Sequence, residues 1–320
     1  MNPVNMPHLH LLLNHVPTIG AVVGVALLLL SIIRRTDPLL RASFEVLFLV
    51  ALASFPAYLT GVATEVTVAG EPEFSPGAMR AHHDAALPAF VLMQVTGALA
   101  WIGLWQYRRA LRPAGWVQPW IVVFSTATLI MMGQAATIGG QIRHPEIAPA
   151  ITAADLSAGP GGTETGWFTP EQIEAFVSES AWAWPAAETL HFIGLCLVIG
   201  VLLTLNLRIL GAMKSLSFAA LHRLLPWGVL GFVLNLMTGM MFVVVAGDQY
   251  VDNVAFYLKV VLLVLAGIHL LYLTVSDATW ALRPGDNAGL GEKVAAVVAL
   301  GAWAGILYGG QMLPFLGDAI

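Results

Sequence analysis

The residues of this chain best equipped for chemistry are histidines at the margins of apolar runs. "MPHLHLLLNHVPTIG" (6–20) carries His8, His10 and His15, and "MRAHHDAALPAF" (79–90) carries His82 and His83. A neutral imidazole offers one nitrogen lone pair to a metal while its second nitrogen fixes the ring, which is how proteins hold b-type haem iron. His15 and His83 stand at similar depths, within about two helical turns of the start of their runs. That placement suits the two axial ligands of a haem between facing helices. His82 and His83 are adjacent, about 100° apart around a helix, so only one faces a given interior. The register described below selects His83. His8, His10 and His144 read as interfacial or capping residues.

Other polar groups surround these histidines in the sequence. Glu65 and Asp84 offer carboxylates to orient an imidazole or carry a proton, and Arg80 a charge to neutralise a haem propionate. Glu188 precedes His191 in the Glu-x-x-His spacing of carboxylate-bridged metal centres. A single copy is too little for a di-iron site and better suits a proton relay, a quinone-binding pair or a lone ion. Lys259 lies inside an apolar run and requires an anion, from Asp248, Asp252, Glu188 or a haem propionate. His222 in "LHRLLPW" and His269 in "GIHLLYL" lie towards the opposite end. They differ in depth by roughly 6–8 Å, which raises a second haem as an alternative to two packed side chains. The single cysteine, Cys196, excludes an intrachain disulfide and covalent c-type haem attachment. No residue pattern identifies a catalytic reaction.

Composition dictates the elements that position these groups. Apolar residues make up 58% of the chain and charged residues 10%. Soluble domains run at about 45–50% and about 25%, so this chain cannot build an ordinary wetted surface. Eight windows, 9–33, 41–63, 82–107, 116–140, 185–209, 221–246, 253–276 and 291–316, are apolar enough to span, each near the about 20 residues a bilayer core requires. They are too long for barrel strands, leaving helices as the way to satisfy the backbone in lipid. The first window lacks the basic flank of a secretory signal and is expected to be retained.

Charge orients the windows. Eleven of the 14 Lys and Arg, from Arg34 to Lys293, fall at one end, which the positive-inside rule makes cytoplasmic. Both termini are then expected outside. Fourteen of the 19 acids fall towards the other end. The net charge of −5 is therefore polarised, and a basic nucleic-acid surface is absent.

The windows repeat. "IGGQIRHP" (138–145) closes the fourth and "YGGQMLPF" (308–315) the eighth; "YLTG" ends at Gly61 in the second and "LMTG" at Gly239 in the sixth. Gly61 precedes Gly139 by 78 residues, and Gly239 precedes Gly309 by 70. This order predicts two four-helix bundles in a parallel repeat, 1–142 and 185–320, with an outer segment 143–184 between them. In that register His15 matches His191, and His83 matches Asn253. Within the outer segment, Thr169, Pro170 and Gln172 predict the start of a short amphipathic helix by a capping box.

"HLLLNHVPTIG", a Thr-Gly closing the second window and "HHDAA" opening the third resemble uncharacterised bacterial four-helix membrane domains. "ETLHFIGLCLVIGVLLTLNLRILG", "LHRLLPW" and "MTGMMF" resemble another such family, distantly similar to copper-resistance D and membrane cytochrome b proteins. The resemblance covers most of both units and omits 143–184. It implies a multi-pass protein of a bacterial inner membrane, non-covalent haem b and quinone chemistry.

The leading expectation is therefore a b-type haem electron-transfer protein exchanging electrons with quinol or an outer-face redox partner. Its candidate cofactor residues are His15, His83, His191, His222, His269, Arg80 and Lys259, with Glu188 and Glu65 as proton or quinone groups. A copper-handling permease is the alternative, since "MPHLH", "IMMGQ" (130–134) and "MTGMM" (237–241) offer His and Met ligands. A non-catalytic subunit of a larger respiratory complex is the third reading.

Overall fold

The computed structural model describes residues 5–69, 71, 74–110, 112–143, 169–251 and 253–316. His144, Asp252 and the "LSAGPGGTETG" stretch lie outside them. The described residues form helices joined by short turns, with no strand among them. Eight helices are long and apolar enough to cross a membrane: Met6–Arg34, Asp37–Val68, Pro76–Ala110, Val117–Ile142, Ala183–Leu210, Phe218–Val245, Val254–Val275 and Leu290–Leu313. They are called spans one to eight below. Several run past the apolar windows, because a hydropathy window sees only the centre of a helix whose polar ends continue it. Many large apolar side chains face outward, among them Val22, Leu29, Ile33, Val123, Ile130, Val261 and Val297. That distribution suits lipid, where an apolar exterior has no cost.

The chain divides into two compact units, Met1–Thr96 with Ile121–Ala175, and Gly97–Trp120 with Phe176–Ile320. In the first, span one lies close against span two because Gly24 leaves room for the Leu47 side chain; a Cβ there would stand 2.7 Å from Leu47 Cδ2. Span one is interrupted at Asn14, between Met6–Leu13 and His15–Arg34. Polar side chains join the other helices: Gln94 Nε2 donates to Ala51 O at 2.9 Å and to Ser54 Oγ at 2.8 Å, and Thr96 meets Thr128 at 3.1 Å. Such bonds hold membrane helices together where no hydrophobic force distinguishes protein from lipid. The expected helix after Thr169 is present as Pro170–Glu179, with Thr169 and Gln172 exchanging the two bonds of a capping box at 3.1 and 3.3 Å. Val177 is its buried apolar residue, whereas Phe176 is exposed.

In the second unit, spans five and six cross at Gly194 and Gly231, where a Cβ on Gly231 would fall 2.6 Å from Gly194 O. Trp101 Nε1 donates to Thr274 Oγ1 at 2.7 Å, and Arg108 donates to the Val275 carbonyl and to Asp277. Arg208 is wholly buried at the end of span five. Its guanidinium donates to three carbonyls outside that helix: Leu216 O at 2.5 Å, Asp286 O at 3.2 Å and Arg283 O at 2.7 Å.

Candidate functional site

Spans one and three begin, and spans two and four end, at the same end of the first unit. There His10 Nδ1 lies 3.1 Å from Ala57 O and 3.3 Å from Thr60 Oγ1 of span two. The Thr60 hydroxyl donates to its own helix, to Pro56 O at 2.9 Å and Ala57 O at 3.0 Å. Both neighbours of Nδ1 are therefore acceptors, and the His10 proton sits on Nδ1. His82 repeats the arrangement on span four, its Nδ1 donating to Ala135 O at 2.9 Å. Among the described residues, no hydrogen bond engages the Nε2 lone pair of either ring. The two rings meet edge-on, with centroids 6.4 Å apart and planes inclined at 70°.

Glycines make this placement sterically accessible. A Cβ at Gly61 would stand 3.0 Å from His10 Cε1, and one at Gly139 would stand 2.9 Å from His82 Cε1. The Thr-Gly and Gly-Gly-Gln elements thus have a local role that generic small-residue packing does not capture.

The expected ligand pair is placed otherwise. His15 is exposed, and its Nδ1 donates to Leu11 O at 3.1 Å, one turn back in its own chain. His83 uses both nitrogens: Nδ1 donates to Glu65 Oε2 at 2.8 Å, and Nε2 accepts from Tyr58 OH at 3.0 Å. No lone pair on His83 remains for a metal. The structure brings together His10, which reads from sequence as an interfacial residue, and His82, which the register passes over. The signal that identifies them is spacing to Thr60-Gly61 and Gly139 across helices, which emerges only once the helices are rotated into contact. His8 is exposed, as expected.

The remaining candidates are distributed as follows. Arg80 and Glu171 are both half exposed and pair at 3.4 Å. In the second unit, His191 Nδ1 is 2.8 Å from Thr238 Oγ1, whose own proton goes to Leu234 O at 2.7 Å, so His191 also keeps a free Nε2 lone pair. Its ring lies against Phe242, 5.6 Å between centroids, and Phe242 lies against Trp184 at 4.9 Å. Glu188 does not reach back to His191 in a hydrogen bond among the described residues; it accepts from Trp184 Nε1 at 3.0 Å. Burial, together with the Glu188 charge, pushes the Tyr250 phenol above its usual pKa. Lys259 lies against the glycines of span eight and within electrostatic reach of His191. Asn253 is buried as a helix cap, bonded to Ala255 N at 3.0 Å and Leu313 O at 2.9 Å.

His222 and His269 are separately engaged. His222 Nε2 is 3.3 Å from Thr274 O, and His269 Nε2 is 2.9 Å from Asn206 Oδ1. No ring contact joins them among the described residues. Of the methionines in the copper reading, Met6, Met132 and Met240 are buried and Met237 is exposed. Among the described residues no cluster of three or more His, Cys, Asp or Glu side chains is placed to hold an ion.

The donor set of His10 and His82 fits a metal held between two imidazoles. With a nitrogen–metal bond of about 2 Å on each side and about 1 Å from each nitrogen to its ring centroid, two such rings stand roughly 6 Å apart. Ligating histidines also characteristically donate their other N–H to a carbonyl or carboxylate, as both rings do here. No protein-family model, curated protein or solved structure matches the chain.

Proposed function

We propose that this chain is a membrane-integral b-type haem protein that passes electrons, with His10 and His82 as the residues that would hold the haem. One observation carries the reading: the rings stand 6.4 Å apart, with both Nδ1 protons donated to main-chain carbonyls and neither Nε2 lone pair engaged among the described residues. Haem, when bound, supplies a one-electron couple. The chain's own contribution is to hold two imidazoles in one tautomer, stop them rotating and enclose them in apolar helix. Next to Ala57, Tyr58 is buried and joins His83 and Glu65 in a hydrogen-bonded run towards a half-exposed carboxylate. That run is suited to moving a proton to the membrane surface, which favours exchange with quinol; a redox protein at the outer face, or a larger respiratory complex, is the other class of electron partner.

Absorption spectroscopy of the detergent-purified chain tests this. The expected result is a low-spin haem spectrum with sharp reduced bands. Protein that carries no haem and takes up none when haemin is added defeats the proposal, and stoichiometric copper in its place favours the permease. Gly139→Ala puts a methyl carbon 2.9 Å from His82 Cε1 and 3.1 Å from its Nδ1, which crowds the ring and strains its bond to Ala135 O. Loss of such a supporting contact is expected to weaken haem retention about 10–100-fold, measured by haem transfer to an acceptor apoprotein.

The two four-helix units are read as a parallel repeat in a bacterial inner membrane, with both termini and the 143–184 segment outside. The matching of His10 on Thr60-Gly61 by His191 on Thr238-Gly239 supports the repeat, with His10 rather than His15 as the counterpart of His191. The separation of basic and acidic ends supports the orientation. In a Cys196→Ser background, a cysteine at Ser157 is expected to react with an impermeant maleimide in intact spheroplasts and one at Ser215 only after lysis. The reverse pattern would invert the topology.

A further inference from the structure

At the basic end of the second unit, Arg108 and Arg109 occupy the last turn of span three, and Arg223 lies in the His222–Leu224 turn at the head of span six. Side-chain bonds join these two elements. Trp105 Nε1 donates to His222 O at 3.2 Å, and Arg109 donates to Ala219 O at 3.1 Å. Trp105 and Arg109 are one turn apart, so both reach from the same face of span three. The Arg109 guanidinium also lies 5.8 Å from the centre of the Trp105 ring, which restrains it. It is thereby fixed within electrostatic reach of the Arg223 guanidinium.

The three cations are used differently. Arg108 is spent inside the protein, on Asp277 Oδ1 at 2.5 Å and on the Val275 carbonyl. Arg109 is half-buried and gives one N–H to Ala219, while Arg223 is exposed. Among the described residues no carboxylate pairs with either of them. The acidic residues outside the described ones, Glu73, Glu146, Asp155, Glu164, Asp252 and Asp318, all adjoin the opposite ends of the spans in sequence. Two guanidinium groups held side by side repel one another, and an anion shared between them turns that repulsion into binding. The surface next to them is apolar: Leu224, Trp227 and Leu230 follow Arg223 along span six, all exposed, Trp227 by 56%. A cation with a tryptophan one turn deeper and aliphatic side chains beyond matches the layers of a lipid, from charged headgroup through the interface to the acyl chain.

We propose that Arg109 and Arg223 bind the phosphate of an anionic phospholipid in the leaflet at this end of the spans, with its acyl chains along Trp227 and Leu230. The guanidinium groups supply the paired N–H donors that a phosphate diester accepts. The apolar surface beyond them selects a lipid over a free anion. This site belongs to the second unit and does not depend on the haem proposed for the first.

Native mass spectrometry of the detergent-purified full-length chain, titrated with equal amounts of phosphatidylglycerol and phosphatidylcholine, tests this. Preferential retention of phosphatidylglycerol is expected. An arginine near an anionic headgroup is worth about fivefold in affinity, so Arg223→Gln should weaken that binding about fivefold, and Arg109→Gln with Arg223→Gln about 30-fold. Arg223→Gln removes no side-chain bond among the described residues, so its effect reports on the lipid rather than on folding. Arg109→Lys keeps the charge and should retain most of the binding. Lys214→Gln removes another exposed cation between spans five and six and should leave it unchanged. Excess inorganic phosphate should not displace the lipid; displacement would assign the pair to a free anion and overturn the proposal. Equal retention of the two lipids, an affinity unchanged in Arg223→Gln and the double variant, or an equal loss in Lys214→Gln overturns it as well.

Discussion

His82→Ala is expected to give a chain that inserts and folds but lacks the low-spin haem signal proposed for the first unit. The ring makes one bond to the protein, Nδ1 to Ala135 O, and that carbonyl lies within a continuous helix where the backbone already satisfies it. Removal therefore leaves no buried orphan and little structural penalty. On the proposed function the consequence would fall on haem binding, with a loss larger than the about 10–100-fold typical of removing a group that merely supports a ligand. His10→Ala should produce the same spectral loss, since neither ring holds the iron in its bis-imidazole state alone. His83→Ala supplies the contrast: one residue along the same helix, it should retain the signal, because its two nitrogens serve Glu65 and Tyr58. Reduced-minus-oxidised spectra of the three variants measure this, with chain yield in membranes as the control for insertion. A retained bis-imidazole spectrum in His82→Ala and a lost one in His83→Ala would return the site to the pair expected from sequence.

Arg208→Met is expected to cost the second unit about 1–3 kcal/mol, the range for leaving buried carbonyl acceptors without their donor. The side chain is fully buried and ties Leu216, Arg283 and Asp286 to the end of span five through their carbonyl oxygens. Methionine fills similar volume but donates nothing, so three carbonyls outside regular helix are left to find water or remain unpaired. Arg208→Lys should recover part of the loss, because an ammonium keeps the charge but cannot span three acceptors in the guanidinium plane. The readout is the temperature at which half the detergent-solubilised protein leaves the monodisperse peak in size-exclusion chromatography after heating. An unchanged midpoint in Arg208→Met would show that those loops are held by other contacts. The haem signal proposed for the first unit should be unaffected at temperatures where the variant remains folded.

The eight apolar helices were legible because hydropathy accumulates along the chain and requires no knowledge of neighbours. The Thr169–Gln172 cap was legible for a similar reason, its two bonds closing within four residues. The residues of the candidate site were less accessible. Counting depth from the end of a window treats span one as a single rod, but the chain is interrupted at Asn14, and the Met6–Leu13 piece carries His10 against Ala57 and Thr60. His82 and His83 differ by about 100° of helix rotation, and nothing local distinguishes them. Arg208 entered the sequence reading only as one cation in the charge asymmetry, since the carbonyls that enclose it come from residues up to 78 positions away.

Sequence by itself determined that this chain is helical, that it carries eight helices able to cross a membrane, and that histidine, lysine and glutamate recur near one end of them. These are consequences of composition and short-range spacing. Tertiary structure decided that His10 meets His82, that His83 is spent on Tyr58 and Glu65, and that Lys259 rests on glycine with no bonded partner among the described residues. The physical reason is directional. An imidazole becomes a ligand only when its other nitrogen is held and its lone pair is aimed, and both conditions depend on the rotation of one helix against another, set by packing between residues about 50 positions apart.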